Sequence, residues 1–112
     1  MKKIEGFVQN GPKEIKGIYD SHEGKLVNIS KGPNIIYGVF EKIYKDKLLG
    51  EFVASLRPSI IFNPNNTYSI EYDRPSQVSL PFDVIRPMQG SLEKWVDKFN
   101  SDTGNSEELM NL

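Results

Sequence analysis

The stretch Thr67-Tyr68-Ser69-Ile70-Glu71-Tyr72-Asp73 decides the fold class, because apolar and polar side chains alternate along its whole length. Tyr68, Ile70 and Tyr72 fall on one face of an extended chain, and the polar residues between them fall on the other. A period of two with one polar face is typical of a half-buried strand in an antiparallel sheet. The stretch therefore predicts a domain built mainly from β-strands.

The same alternation returns in segment 78–84, where four apolar residues are separated by single residues: Val78, Leu80, Phe82 and Val84. Pro81 has no amide hydrogen to donate to a sheet, so this strand should lie at an edge or contain a bulge. Weaker strand patterns occupy residues 3–9, 14–20, 25–30 and 48–56. Turn-forming residues recur about every 8–12 residues, which favours an antiparallel meander, a small barrel or a sandwich of about six to eight strands.

Segment 34–44 fits two interpretations. Its helical stripe would consist of Ile36, Phe40, Ile43 and Tyr44. Its β-branched and aromatic residues, with Gly38 among them, favour a strand instead. The strand interpretation makes 35–44 and 48–56 the two arms of a hairpin around Lys45-Asp46-Lys47.

A short amphipathic helix is predicted near the C-terminus, over residues 91–100. Ser91 is a good N-cap, and four apolar residues follow at helical spacing: Leu92, Trp95, Val96 and Phe99. This stripe should pack on the sheet. Residues 1–100 would then form one β-rich domain, and the polar residues 101–112 a flexible tail.

Composition narrows the possible chemistry. The chain has 112 residues, no cysteine, one histidine and a formal net charge of −1. The absence of cysteine excludes a disulfide, a cysteine nucleophile and a cysteine-ligated zinc site. The sequence also lacks the common glycine-rich phosphate loops and a spaced acidic calcium loop, so we predict no cofactor, no metal site and no catalytic residue. The longest apolar runs are a few residues, so we expect no membrane association and a cytoplasmic location.

All three arginines precede proline, at Arg57, Arg74 and Arg86. A residue before proline is held extended, so each arginine should stand at the start or end of a strand. Arginines sharing one rim of the sheet would bind a phosphate or a carboxylate. The opposing interpretation is that each arginine pairs with a nearby acidic side chain: Glu71, Asp73 or Asp83.

Two further features suggest interaction surfaces. Tyrosines on a sheet, here Tyr68 and Tyr72, can stack on bases or form an ordinary half-buried face. The net charge of −1 and the lack of a basic stripe argue against nucleic acid as the partner. The apolar terminal residues Leu109, Met110 and Leu112 could dock on a neighbouring subunit or fray.

These observations favour a non-enzymatic interaction module that binds a protein partner, such as an inhibitor, an adaptor, an immunity-type protein or an assembly protein of a bacterium or phage. The alternative is a binder of a small anionic ligand or nucleotide through the Arg-Pro arginines. A small hydrolase or nuclease is the third reading. Because the sequence predicts an open sheet edge, we also expect a homo-oligomer, with a dimer as the first choice.

Overall fold

The computed structural model describes residues 12–110, with side chains described for residues 13–102. Its elements are α1 (Pro12–His22), β1 (Leu26–Lys31), β2 (Asn34–Lys45), β3 (Phe52–Phe62), β4 (Tyr68–Glu71), β5 (Ser76–Ser79), β6 (Val84–Pro87) and α2 (Leu92–Met110). The six strands form one antiparallel sheet in the order β4-β3-β2-β1-β6, and β5 joins the same side of β3 as β4. The prediction of a mainly antiparallel β domain with a C-terminal helix is confirmed, and the sheet is open rather than closed into a barrel.

The β2–β3 hairpin contains the two longest strands of the sheet. Its strands are 12 and 11 residues long and pair from Lys45 opposite Phe52 down to Gly38 opposite Ser59. The strand interpretation of 34–44 is therefore confirmed. The turn is longer than expected, because residues 48–51 lie in the loop rather than in β3. The register shifts twice, on either side of Phe40.

Segment 78–84 is not one strand, and this prediction was wrong. Residues up to Ser79 belong to β5, which pairs with β3, and residues from Val84 belong to β6, which pairs with β1. The segment between them crosses from one strand to the other, and two backbone hydrogen bonds of 2.8 Å anchor it: Leu80 N to Phe52 O and Asp83 N to Ser30 O. Leu80 and Phe82 are 2 % and 1 % exposed. Their alternation therefore reflects burial beneath the sheet, and Pro81 between them has no amide to pair.

The core lies on the face of the sheet that this crossing segment covers. Its buried members are Val27, Ile29, Phe40, Ala54, Leu56, Leu80 and Phe82. Helix α1 closes the same face with Ile15, Ile18 and Tyr19, whose ring lies 6.3 Å from that of Phe40. These three helix residues have the i, i+3, i+4 spacing that places side chains on one helical face.

The expected strand over 14–20 is therefore wrong, and the segment belongs to α1. Pro12 stands at the first position of the helix, where its missing amide hydrogen costs nothing, and Glu14 lies in the first turn. The period of the apolar residues was misjudged, because so short a segment contains too few of them to separate the two patterns. The expected strand over 3–9 lies outside the described residues.

Helix α2 packs on the opposite face. Phe99 lies between two tyrosine rings, 5.0 Å from Tyr37 and 5.3 Å from Tyr68. Tyr37 faces away from the core because it pairs with Asn28, one step from the core residue Val27. The aromatic stripe of α2 is thus packed on the sheet, as predicted.

The start of α2 agrees with the sequence, and its end does not. The Ser91 hydroxyl accepts a hydrogen bond from the Lys94 amide at 3.3 Å, as an N-cap does. The helix continues to Met110 instead of ending near Asn100. Its apolar stripe stops at Phe99, so periodicity could not follow the helix beyond that point. The residues that complete it include the good helix formers Glu107, Glu108, Leu109 and Met110.

Asn100 of α2 occupies the open edge of β4. Its side-chain oxygen accepts from the Tyr68 amide at 2.6 Å, and its side-chain nitrogen donates to the Tyr68 carbonyl at 3.0 Å. One side chain therefore satisfies both backbone groups of Tyr68, which a further strand could otherwise pair. Such a contact protects an edge from joining another chain.

Replacing Asn100 by alanine is expected to lower the free energy of unfolding by about 1–2 kcal/mol, because the Tyr68 amide and carbonyl lose their partners. Alanine is the better helix former, so propensity alone would change stability in the other direction. Urea denaturation measures the change, with Asp102→Ala on the exposed side of α2 as the control. Equal stability of the two variants would show that Asn100 does not hold the edge.

Candidate functional site

The three arginines occupy different parts of the sheet. Arg57 lies inside β3 rather than at its end, and Arg86 lies on β6, with β2 and β1 between them. Arg74 lies in the connection between β4 and β5, which passes the Arg57-Pro58 position of β3 because β4 pairs beyond it and β5 before it. The connection that carries Arg74 thus passes along β3 at Arg57, and Arg86 lies on a different strand with two strands between. The structure does not form a rim of three guanidinium groups.

Arg57 already has an anionic partner. Its guanidinium lies 2.6 Å from Oε2 of Glu41, and the Ser55 hydroxyl donates to Oε1 of the same carboxylate at 2.9 Å. The Arg57 side chain is 46 % exposed, so this ion pair contributes at most about 1 kcal/mol to stability. An incoming anion would have to compete with Glu41. Ser55 is completely buried, so its hydroxyl has no access to a substrate.

A second cluster of polar side chains lies at the end of α1: Tyr19, His22 and Glu23. The Tyr19 hydroxyl donates to the Glu23 carboxylate, and this hydrogen bond raises the pKa of the tyrosine. His22 bonds the Ile18 carbonyl through Nδ1 at 2.8 Å and packs against Phe40. Both side chains therefore form local hydrogen bonds, Tyr19 to Glu23 and His22 to the Ile18 carbonyl, and these bonds stabilise the C-terminal end of α1. The part of the chain that the structure describes holds no group of three His, Asp or Glu side chains able to bind a metal.

The sequence-predicted interaction residues are dispersed. Tyr68 is half-buried between Phe62 and Phe99, and Tyr72 is 60 % exposed just beyond β4. Leu109 and Met110 belong to the end of α2, where side chains are not described, and Leu112 lies outside the described residues. These five residues therefore do not form one surface that the structure can show.

The most exposed apolar side chains of the described chain stand together at the tip of the β2–β3 hairpin. Leu48 is 97 % exposed and Leu49 is 67 % exposed. Their amides donate to Oδ1 of Asp46 at 2.9 and 3.0 Å, and Gly50 donates to the Asp46 carbonyl at 2.8 Å. Gly50 has a φ of +70°, a conformation that glycine adopts without strain. The hairpin tip, residues 46–51, is thus an ordered loop that presents two leucines to solvent.

Cationic side chains accompany this tip. Lys47 precedes the leucines and is exposed. Lys45 lies with its amino group 5.8 Å from the centre of the Phe52 ring, and Lys42 lies 5.3 Å from that of Tyr44. The aromatic rings attract the two ammonium groups and leave their charge at the hairpin surface. The tip therefore combines an apolar pair with mixed charge, since Asp46 and Glu51 lie in the same loop as Lys47.

The sheet edges are less available than the hairpin tip. Asn100 pairs the edge of β4, and the Lys31 amino group donates to the Ser79 carbonyl of β5 at 3.1 Å. On β6, Pro87 has no amide to offer. Three different devices thus interrupt the edges, so pairing with a further strand is less favourable than the open sheet suggests.

A shallow groove lies where α2 begins on the sheet. It has a volume of about 360 Å³ and is lined by Gly24, Leu26, Val39, Pro58, Gly90, Ser91, Leu92 and Glu93. Its apolar walls come from β1, β2, β3 and the first turn of α2. Glu93 is exposed and supplies a carboxylate at the helix start. The groove is a concave surface with a mixed polar and apolar lining, and it lies apart from the hairpin tip.

Comparison with protein-family models, curated proteins and solved structures found no match. None of the helices in the described part of the chain is long and apolar enough to cross a membrane. The function must therefore be argued from the surfaces of the molecule itself.

Sequence reasoning missed the hairpin tip because it assigned Leu48 and Leu49 to a strand. The signal that could have found it is Gly50, whose position after Asp46 marks a loop longer than three residues. The groove could not have been found in this way. Its walls come from four elements that are distant in sequence, and their approach depends on how α2 packs.

Proposed function

We propose that this protein is a non-enzymatic interaction module that binds a protein partner through the tip of the β2–β3 hairpin. The observation that carries the proposal is the pair Leu48 and Leu49, 97 % and 67 % exposed on an ordered loop. Fully burying a leucine side chain is worth about 1.5–3 kcal/mol. A partner that covers both would gain a substantial part of a micromolar affinity from two residues.

The order of the loop supports a binding role. Four hydrogen bonds involving Asp46 hold the tip. Two backbone amides donate to its carboxylate, one donates to its carbonyl, and its own amide donates to the Glu51 carbonyl at 2.7 Å. A loop that is fixed before binding loses less conformational entropy when the partner arrives. Exposing two leucines to water is unfavourable in the free protein, but a loop already in its bound conformation makes association more favourable.

The polar clusters give less support to the other two functions. The Glu41 carboxylate is occupied by Arg57 and Ser55, which weakens the case for an anion site at the Arg-Pro positions. A hydrolase needs an accessible nucleophile with a positioned base, and Ser55 is completely buried. An adaptor or inhibitor needs only a complementary surface. A cytoplasmic location remains part of the same proposal.

The test is capture of partners from extracts of cells that produce the protein, with Leu48→Ser/Leu49→Ser compared with the unchanged chain. We expect quantitative mass spectrometry to find a stoichiometric partner that the double variant loses. Ile35→Ser is the matched control, because it removes an apolar side chain that is 49 % exposed and lies outside the tip. Retention of the same partner by the double variant, or no partner with the unchanged chain, would overturn the proposal.

A further inference from the structure

We infer that the partner adds an extended, acidic segment of its own chain as a further strand on β2, along residues 41–45. We name this stretch the bare edge. The inference rests on the proposed function, because the bare edge leads directly into the tip that carries Leu48 and Leu49. It adds a mode of binding and a chemical class for the segment that binds.

The bare edge exists because β1 is too short to cover β2. The first residue of β1 pairs with Val39, whereas β2 continues to Lys45. The last contact on this side is at Phe40, whose amide donates to the Lys25 carbonyl and whose carbonyl accepts from the Gly24 amide, both at 2.9 Å. Beyond Phe40, none of the described strands lies on this side of β2. The bare edge is therefore separate from the protected edges of β4, β5 and β6.

The hydrogen-bond pattern of the hairpin shows which backbone groups the bare edge leaves free. In an antiparallel pair, residues that bond the partner strand alternate with residues whose amide and carbonyl point away from it. The Asp46 amide donates to the Glu51 carbonyl, so Tyr44, two residues earlier, also bonds to β3. Ile43 and Lys45 therefore direct their amides and carbonyls away from β3, and no described residue bonds to them there. An added strand pairs with groups of this kind.

Two lysines stand at the bare edge without an acidic partner. Lys42 and Lys45 are exposed, and their amino groups lie near the rings of Tyr44 and Phe52. Within residues 13–102 neither lysine forms an ion pair. Opposite charges on neighbouring strands attract, and like charges repel. An added strand that carries acidic residues is therefore favoured over one that carries lysine or arginine.

The carboxylates next to the bare edge already have other partners. Glu41 accepts from Ser55 at 2.9 Å and pairs with Arg57 at 2.6 Å. Asp46 accepts from two backbone amides of the tip. Glu51 leads into β3, on the other strand of the hairpin. The charge of the two lysines is thus open to an acidic segment that pairs along β2.

The bare edge and the hairpin tip together offer one continuous surface. A strand that pairs with Ile43 and Lys45 ends beside the tip, so the same partner can bond the free backbone groups and cover Leu48 and Leu49. In complexes formed by strand addition, main-chain hydrogen bonds supply affinity and the side chains supply specificity. The tip alone offers no backbone ladder, and the bare edge alone offers few apolar side chains.

The test is amide hydrogen exchange, measured by nuclear magnetic resonance, with two short blocked peptides. One alternates threonine with glutamate, and the other alternates threonine with lysine. In the free chain we expect the amides of Ile43 and Lys45 to exchange rapidly and that of Tyr44 to be protected, because only the last bonds to β3. The glutamate peptide at ten times its Kd should slow exchange at Ile43 and Lys45 about tenfold. The lysine peptide should leave both rates unchanged.

Two pairs of variants separate the backbone from the side chains. Lys45→Pro removes an outward amide, and Lys45→Ala removes the same side chain but keeps that amide. Proline is tolerated where the amide faces away from the sheet, so both chains are expected to fold. We expect the glutamate peptide to bind Lys45→Pro about tenfold more weakly than Lys45→Ala. Lys42→Glu should weaken binding relative to Lys98→Glu, which reverses a lysine that lies near the Trp95 ring on α2.

The outcomes separate this inference from the proposed function. Slow exchange at Ile43 and Lys45 in the free chain would show that residues 1–11 or a second copy already cover the bare edge, and would overturn the inference. Equal effects of the two peptides, or equal binding by Lys45→Pro and Lys45→Ala, would overturn it as well. A partner from the extract that Lys45→Pro retains and Leu48→Ser/Leu49→Ser loses would support the tip and exclude the bare edge. Absence of any captured partner would overturn the proposed function even if the glutamate peptide bound.

Discussion

Replacing Phe40 by alanine should lower the free energy of unfolding by about 3–5 kcal/mol, the range for truncating a buried phenylalanine. Phe40 is 1 % exposed and stands where α1 meets the sheet. Its ring contacts Tyr19 at 6.3 Å and His22 at 6.1 Å, centre to centre. The substitution therefore opens a cavity in the core and removes the surface on which α1 rests. Urea denaturation followed by circular dichroism measures the loss.

Phe62→Ala is the matched control, because it removes the same side chain from the exposed end of β3. Phe62 is 57 % exposed and touches one other ring, Tyr68 at 4.9 Å. Its removal should cost about 1 kcal/mol, the scale of an aromatic pair. If the two variants lost similar stability, Phe40 would not be the centre of the core. Hydrogen exchange adds an independent readout, since the amides of α1 should lose protection in Phe40→Ala before those of β3.

The sequence predicted the β-sheet well where strands are half-buried. Segment 67–73 alternates strictly, and 34–44 contains the β-branched and aromatic residues that sheets favour, so both agree with β4 and β2. The stripe from Leu92 to Phe99 likewise predicted the start of α2. In these elements the local pattern and the packing in the fold coincide, because Tyr68 of β4 packs on Phe99 of α2, and Phe40 of β2 lies in the core.

The failures have a common physical origin. In 78–84 the alternation was real, but it recorded burial of Leu80 and Phe82 under the sheet rather than pairing within one strand. In α1 a few apolar residues fit either period, and the packing against Phe40 decides between them. The later turns of α2 carry no apolar stripe at all. Tertiary contacts decide the structure of segment 78–84 and of α1, and a local sequence pattern does not contain those contacts.

The candidate site depended even more on the fold. The Arg-Pro dipeptide occurs three times in the sequence, yet strand order separates Arg86 from Arg57, and Arg57 is paired with Glu41. The sequence pattern predicts Leu48 and Leu49 as strand residues, and only the folded hairpin shows that they face solvent. The exposure of a side chain depends on how the whole domain packs. A local sequence pattern predicts which residues form a strand more readily than which residues stay exposed to solvent.

Gly38→Ala is expected to destabilise the protein by about 1–3 kcal/mol, the usual cost of overpacking. Gly38 is buried in β2, where a Cβ atom would lie 2.7 Å from the Pro58 carbonyl oxygen and 2.9 Å from Cα of Ser59. It would also lie 2.9 Å from Cβ of Leu56, a core residue. Two of these three atoms belong to the backbone of β3, which cannot rotate away as a long side chain can. The central strands must therefore separate at the point where their register shifts.

Gly17→Ala provides the opposite control on α1. No atom lies within 4 Å of a Cβ placed there, and alanine in a helix interior is about 0.5–1 kcal/mol more favourable than glycine. The same chemical change should thus raise stability at Gly17 and lower it at Gly38, with urea denaturation as the measurement. A neutral or stabilising effect at Gly38 would mean that β2 and β3 have room to move apart there.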